Sequence, residues 1–428
     1  MGIGAAALFL WFWKKARQGA GGAAEPVERD DEIDALVREA ESRLAESHLA
    51  KGTRWTHLPL VFVIGDSGST KTSTILHSGL DPELLAGNVY QDTVVQPTRL
   101  ANIWFSRGMI FVEAGGKLLA DPRRWMRLLE RLRPGRFLSA VSGAQAPRAA
   151  IVCLDAEIFV RSGTADALTM AARTLQKRLV EISQEFGIRF PVYVLFTKMN
   201  RLAFFEDFVR NLNEAEAGQV LGATLPLQPQ NRSGVYAEEE SKRLSAAFDG
   251  IFYSLADQRV ALLPRENDPQ KIAAAYEFPR EFRKLRSGVV QFLVDLCRPS
   301  QLQVSPFLRG FYFSGVRPVL VRDTPAAAPR ASTAPPTPLE APGSATAFFQ
   351  AGAAQAPAAP VAAPSERKVP QWLFLSRLFT AVILQDQAAL SASGSSTRTS
   401  SLQRIVLAAA AALFLILAVG FTVSFFGN

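Results

Sequence analysis

The chain has 428 residues, 48% of them hydrophobic, and a formal net charge of +8: long enough for two or three domains and well able to build a core. The surplus cation comes without any Lys/Arg run interleaved with aromatics, which argues against nucleic acid and suits a protein facing anionic lipid. Two isolated cysteines, Cys153 and Cys297, and three isolated histidines, His48, His57 and His77, argue against a disulfide framework, a zinc site or a histidine metal centre, and fit a reducing compartment.

Residues 2–13, GIGAAALFLWFW, are apolar and followed by Lys14, Lys15 and Arg17. Twelve residues are too few to span a bilayer. The segment (1–13) reads as the tail of a crossing helix or as an interfacial anchor, and it lacks the basic start of a secretory signal. A connector (14–50) follows, in which Ile33, Leu36, Val37, Ala40 and Leu44 recur at helical spacing, predicting an amphipathic helix leaving the membrane. LPLVFVIG (58–65) predicts a buried strand ending in glycine, and Lys71 to Ser78 the helix after it, with His77 a packing or surface residue. Residues 102–113 predict a hairpin around Ser106, Arg107 and Gly108. AAIVCLD (149–155) is a further buried strand. Leu168, Leu175, Leu179 and Ile182 mark one face of the next helix, and PVYVLFTKMN (191–200) is a strand with a polar end. Strands alternating with helices imply an α/β domain (51–235) with a mostly parallel sheet covered on both faces.

The texture then turns helical (236–320), with Phe282, Leu285, Val289, Phe292 and Leu296 along one side and a terminal strand, FLRGFYFSG, at 307–315. Residues 321–367 are Ala/Pro-rich and predict a disordered linker. QWLFLSRLFTAVIL (371–384), within an apolar-helix-and-polar-connector stretch (368–403), is too short to span; it either packs on the domain or lies along the membrane. Residues 405–426 carry no charge, follow Arg398 and Arg404, and predict a transmembrane helix (404–427). Basic residues of both apolar ends lie on the side of the middle region, which places that region in the cytoplasm. No internal repeat is present.

VIGDSGSTKTST (63–74) carries most of a phosphate-binding loop. In such a loop, successive backbone N–H groups and a helix N-terminus surround the phosphates, a lysine neutralises them, and the next Ser/Thr ligates magnesium. The candidate phosphate-binding residues are Gly65, Gly68, Ser69, Thr70, Lys71 and Thr72, with Gly65 allowing the turn and Gly68 the close approach. Thr70 stands where the pattern has its second glycine, bringing a stiff β-branched side chain to a position reserved for glycine angles.

Companions follow in the order and spacing of a GTPase-like fold. Thr98 can cover magnesium, Glu113 opens EAGG (113–116), and Thr197, Lys198 and Asn200 in TKMN are candidates to read a base. The candidate metal residues are Thr72, Thr98 and Glu113, and the ligand chemistry is ATP or GTP with Mg2+. Three positions are altered: Thr70 for Gly, Glu113 for Asp and Asn200 for Asp. An asparagine offers guanine one acceptor and a mismatched donor, and Lys117 after Gly116 leaves no glutamine there to orient water. These changes argue against efficient hydrolysis.

TRLANIWFSRGMIFVEAGG, VYVLFTKMNRL, EFPREFRKLRSGVVQFL and FLRGFYFSG together resemble the TssM/IcmF family, inner-membrane components of type VI secretion systems. The resemblance covers most of residues 55–427 except the linker. It implies a cytoplasmic P-loop NTPase-like (GTPase-like) domain inserted between transmembrane helices, in a homo-oligomeric complex with TssL-like and TssJ-like subunits that docks baseplate components. Family members begin with a transmembrane hairpin and continue into a large periplasmic region, so a fragment or truncated reading frame is expected here. Three functions remain open: a membrane-anchored structural subunit with a degenerate nucleotide site, an active NTPase that energises or gates assembly, and a membrane-tethered regulatory GTPase outside secretion.

Overall fold

A computed structural model describes residues 28–46, 58–88, 90–91, 94–133, 146–227, 235–299, 304–323, 365–392, 409 and 411–420. The apolar segment 1–13, most of the linker 321–367 and the polar connector after residue 392 lie outside the described residues.

Five parallel strands form the centre of an eight-stranded sheet ordered β2-β5-β6-β1-β7-β8-β10-β9. β1 (Leu60–Ile64), β7 (Arg148–Asp155) and β8 (Pro191–Thr197) are apolar runs buried almost throughout, as strands covered on both faces must be. β1 lies between β6 (Met109–Ala114) and β7, with Ile64 opposite Val152. β5 (Ala101–Ser106) and β6 form the expected hairpin; its two turn residues, Arg107 and Gly108, both have positive φ, the conformation that matches strand twist in a two-residue loop. β2 (Glu83–Ala86) and β9 (Leu221–Thr224) pair antiparallel at the two edges. β3 (Tyr90–Gln91) pairs with β4 (Val94–Val95), and β11 (Gly315–Asp323) with β12 (Ser365–Leu373), each pair a separate two-stranded sheet.

Helices cover the sheet. α1 (Glu28–Glu46) buries Ile33, Val37, Ala40 and Leu44, and its Asp34 carboxylate accepts from both Arg127 and Arg131 of α4 (Pro122–Leu132). The helix expected to lead away from the membrane therefore spends its apolar face on the domain. α2 (Lys71–Leu76) follows β1, and α3 (Gly116–Ala120) follows β6. α5 (Ala165–Phe186) buries Leu175, Leu179 and Ile182, with Leu168 packed at the margin. α6 (Phe205–Val209) and α7 (Glu214–Ala217) precede β9. α8 (Tyr236–Leu262), α9 (Pro269–Arg283) and α10 (Arg286–Leu296) supply Phe248, Phe278, Phe282 and Phe292 to the same core. The helical stretch is a crossover within the sheet: β10 (Phe307–Phe313), which closes it, runs parallel to β8. The reason is aromatic packing, with Phe313 against Phe196, Phe248 and Phe282 at 4.9–6.2 Å.

Residues 371–384 pack on the domain. Leu375, Leu378, Phe379 and Ile383 are buried against Val61, Val63, Phe111 and Tyr193 on the second face of the sheet, and α11 (Gln387–Ala392) ends that segment. Residues 411–420 are helical and exposed. No helix among the described residues is long and apolar enough to cross a membrane; half of the run 405–426 expected to do so lies outside them.

Candidate nucleotide site

The loop between β1 and α2 sits at the carboxyl end of a central parallel strand, where open α/β sheets bind ligands. Gly65 is the position of close approach: its φ is 153°, and a Cβ there would stand 2.2 Å from the Cys153 carbonyl oxygen. Gly68 supplies the turn, with φ 80° and open space around it. Gly65 needs to be glycine because β7 runs directly beside it. Ser69 is buried, and its Oγ donates to Asp66 O at 2.8 Å.

Thr70 takes the left-handed conformation, φ 57° and ψ 28°, at the N-cap of α2. That is the glycine conformation, and it costs a residue with a Cβ about 1–2 kcal/mol. The Thr70 hydroxyl bonds back to Ser69 O at 2.8 Å and makes no helix cap.

Lys71 is buried. Its Nζ donates to Gly65 O and Asp66 O, each at 2.8 Å, and to Ser69 Oγ at 3.5 Å. Burial pushes its pKa down from the ordinary lysine value. Among the described residues no carboxylate makes a contact ion pair with it; Glu113 and Asp66 act on it only through space, so a desolvated ammonium stands over the loop without a touching anion. A phosphate would supply the missing charge, and the donor set therefore fits one.

Thr72, Thr98 and Glu113 converge. Glu113 Oε1 accepts from Thr72 Oγ1 at 2.6 Å and from Thr98 Oγ1; Oε2 accepts from Asn102 Nδ2 at 3.0 Å and Trp104 Nε1 at 3.3 Å. The fully buried carboxylate is filled by four donors, which makes it an organiser of hydroxyls rather than a free ligand. The Thr72 and Thr98 oxygens are 3.3 Å apart. Neighbouring ligands on an octahedron with about 2.1 Å bonds lie about 3 Å apart, so their lone pairs suit Mg2+ while their protons stay on Glu113. Asn102 and Trp104 escaped the sequence reading. The signal was present in period two: both lie on one face of β5, and Asn102 is the cross-strand partner of Glu113.

A cavity of about 180 Å³ is lined by Gly68, Thr70, Lys71, Thr72, Thr98 and Glu113, with Ser67, Ser69, Gln96 and Gly116 among its other walls. It is smaller than the roughly 300–1,000 Å³ of clefts that bury a whole small molecule, so it would enclose only part of a nucleotide. Thr197, Lys198 and Asn200 do not line it. Thr197 Oγ1 is within 3.2 Å of Ser69 O and 3.3 Å of Leu154 O, tying the end of β8 to the loop. Lys198, at φ 59°, donates to Asp155 at 2.9 Å. Asn200 is half-buried in the turn Met199–Arg201. Ser314, at the end of β10, accepts the Met199 N–H at 3.1 Å and is a further neighbour of this turn.

A family model described as the IcmF-related N-terminal domain matches residues 120–411; the match begins after the phosphate loop. The type VI secretion system component TssM1 of Pseudomonas aeruginosa is 28% identical over 298 residues, 67% of this chain and 25% of the relative. The chain thus spans about a quarter of that relative's length. Among solved structures, the signal recognition particle receptor SRb-GTP/SRX complex of Chaetomium thermophilum shares 20% identity over 34% of this chain and 71% of that one, at a TM-score of 0.22. A GTP-binding protein of Sulfolobus solfataricus in complex with GDP shares 16% over 33% and 37%, at 0.16; scores this low carry no argument. The family match does, because it spans more than half of the molecule: this chain belongs to the TssM/IcmF family.

Proposed function

We propose that the chain is a membrane-anchored structural subunit of a type VI secretion membrane complex, with a cytoplasmic domain that carries a degenerate nucleotide pocket. Support comes from family membership and from the relative TssM1, a type VI secretion system component. The run 405–426 is the anchor, and Leu413 to Leu417, at 60–74% exposure within the described helix, are apolar surface that a bilayer would cover. Domain 51–235, extension 236–320 and linker 321–367 precede it. Partners are TssL-like and TssJ-like subunits and baseplate components, in a homo-oligomeric assembly.

The observation that carries the degenerate reading is Thr70, a β-branched residue held at φ 57° beside the recess where a phosphate loop needs glycine. Lys71, Thr72 and Thr98 would hold the phosphates and Mg2+ of ATP or GTP, with Glu113 fixing the two hydroxyls. Magnesium there would screen phosphate charge. Asn200 would face the base of a nucleotide bound there.

One observation favours an active NTPase instead: cation, hydroxyls and carboxylate converge on one recess. A single experiment separates the two. Lys71→Ala is returned to a secretion-deficient strain with the rest of the protein, and complex assembly and secretion are scored. Assembly and secretion that survive support the scaffold. Loss of secretion by a folded, abundant mutant replaces it with the NTPase.

A further inference from the structure

The segment Trp372–Ala392, which leads toward the 405–426 run, is clamped onto the far end of α2 and onto Ser314, the neighbour of the turn Met199–Arg201 that holds the base-reading candidate Asn200. Its Trp372 ring stacks on His77 at 4.9 Å and 23°, directly after α2. Gly79, two residues on, faces Ser376 so closely that a Cβ would stand 3.2 Å from the serine Cβ. Near that turn, Ser314 Oγ donates to Leu373 O at 2.9 Å, and the same Ser314 accepts from Met199. The Phe374 N–H donates to Ala217 O at 2.8 Å. Further along, Asp386 is gripped by Arg309 through two nitrogens, one at 3.0 Å, and by Tyr193 OH at 2.8 Å. Between these points Leu375, Leu378, Phe379 and Ile383 share one core with Ile75 of α2.

α2 has six residues. A helix that short has no stability of its own, so its position is set by what packs on it. Its first two residues are Lys71 and Thr72, the cation and a hydroxyl of the recess. Its far end is braced by Trp372 and Ser376. Whatever holds that end sets where Lys71 and Thr72 stand, and by linkage a ligand that needs them there favours the brace in equal measure.

We propose that docking of the Trp372–Ala392 strap and occupancy of the phosphate recess are positively coupled, so that the state of the pocket is passed to the chain leading to the apolar run. This rests on the nucleotide-binding reading above.

The test uses the full chain in detergent, with ATP and GTP, each with Mg2+, as probes. Two variants loosen the strap without touching the recess: Trp372→Ala, at a half-buried ring, and Asp386→Asn, at the buried clasp. Each is expected to weaken nucleotide binding about 5-fold or more, the lower end of ordinary coupling between sites. Conversely, nucleotide is expected to slow backbone hydrogen exchange over 374–391 in the parent, and to have no such effect in Lys71→Ala. Far-UV circular dichroism and thermal unfolding check each fold; if Asp386→Asn unfolds, Trp372→Ala carries the comparison. A folded variant that binds as tightly as the parent, or strap exchange indifferent to bound nucleotide, overturns the coupling alone. A parent that binds neither nucleotide overturns the pocket reading and the coupling together.

Discussion

Replacing Thr70 with glycine should stabilise the chain relative to replacing it with alanine. Both substitutions remove the Thr70 Oγ1 bond to Ser69 O, so that loss cancels in the comparison. Alanine keeps a Cβ at φ 57°, and the left-handed conformation costs such a residue about 1–2 kcal/mol. Glycine escapes that cost but loses more chain entropy on folding, about 0.5–1 kcal/mol relative to alanine. The centres of the two ranges leave glycine ahead by about 0.5–1 kcal/mol. For a domain of this size that is about 1–4 °C in thermal midpoint, within reach of differential scanning fluorimetry on the two variants side by side. Glycine should also bind nucleotide more tightly than the parent, since the Cβ and methyl leave a recess they help to line. An alanine variant as stable as the glycine one would refute the argument: the backbone would then tolerate a side chain here, and the loop would not be degenerate at position 70.

Glu113→Gln keeps the shape but replaces an acceptor of four bonds by a group that donates as often as it accepts, leaving at least one buried donor unpaired. The expected cost is about 1–3 kcal/mol, read as a lowered denaturation midpoint, together with weaker Mg2+-dependent nucleotide binding; an unchanged midpoint would mean the four bonds are not formed together. The hydrogen bond from Arg131 holds the Asp34 carboxyl well below the usual carboxylate range, against the desolvation of burial and with help from Arg127. A depressed pKa stabilises above the unfolded value near pH 4 and is lost as pH falls through the folded one. Acid should therefore begin to loosen α1 in the parent below about pH 4 and undock it only as pH falls through the lowered folded value, while Asp34→Asn should show raised proteolysis at α1 already at pH 7; a variant as protected as the parent would remove the clasp from the account.

What the sequence determined was local. Largely apolar runs of strand length at 58–65, 149–155 and 191–200, the last two with polar ends, point to central parallel strands, because strands buried on both faces can spend such runs. Paired β-forming segments around Arg107 and Gly108 dictate the β5–β6 hairpin. Lys71 and Thr72 directly after strand and loop name the chemistry of the recess. Tertiary structure decided what each buried face meets, since periodicity reports that a face is apolar and not which surface covers it. The stripe of Ile33, Val37, Ala40 and Leu44 had the same pattern for a lone connector as for a helix clasped to α4 by Asp34. Residues 371–384 were equally fit for a membrane surface or for the sheet, and the clasp at Asp386 made by Arg309 and Tyr193, distant in sequence, accompanies the second choice. β10 read as the end of a helical extension, yet it lies next to β8 because Phe313 completes an aromatic cluster built from three separate segments. The need for glycine at position 65 has the same kind of reason: the carbonyl of Cys153, brought alongside by strand pairing, leaves no room for a side chain there, and a neighbour 88 residues away leaves no mark in the loop's own sequence.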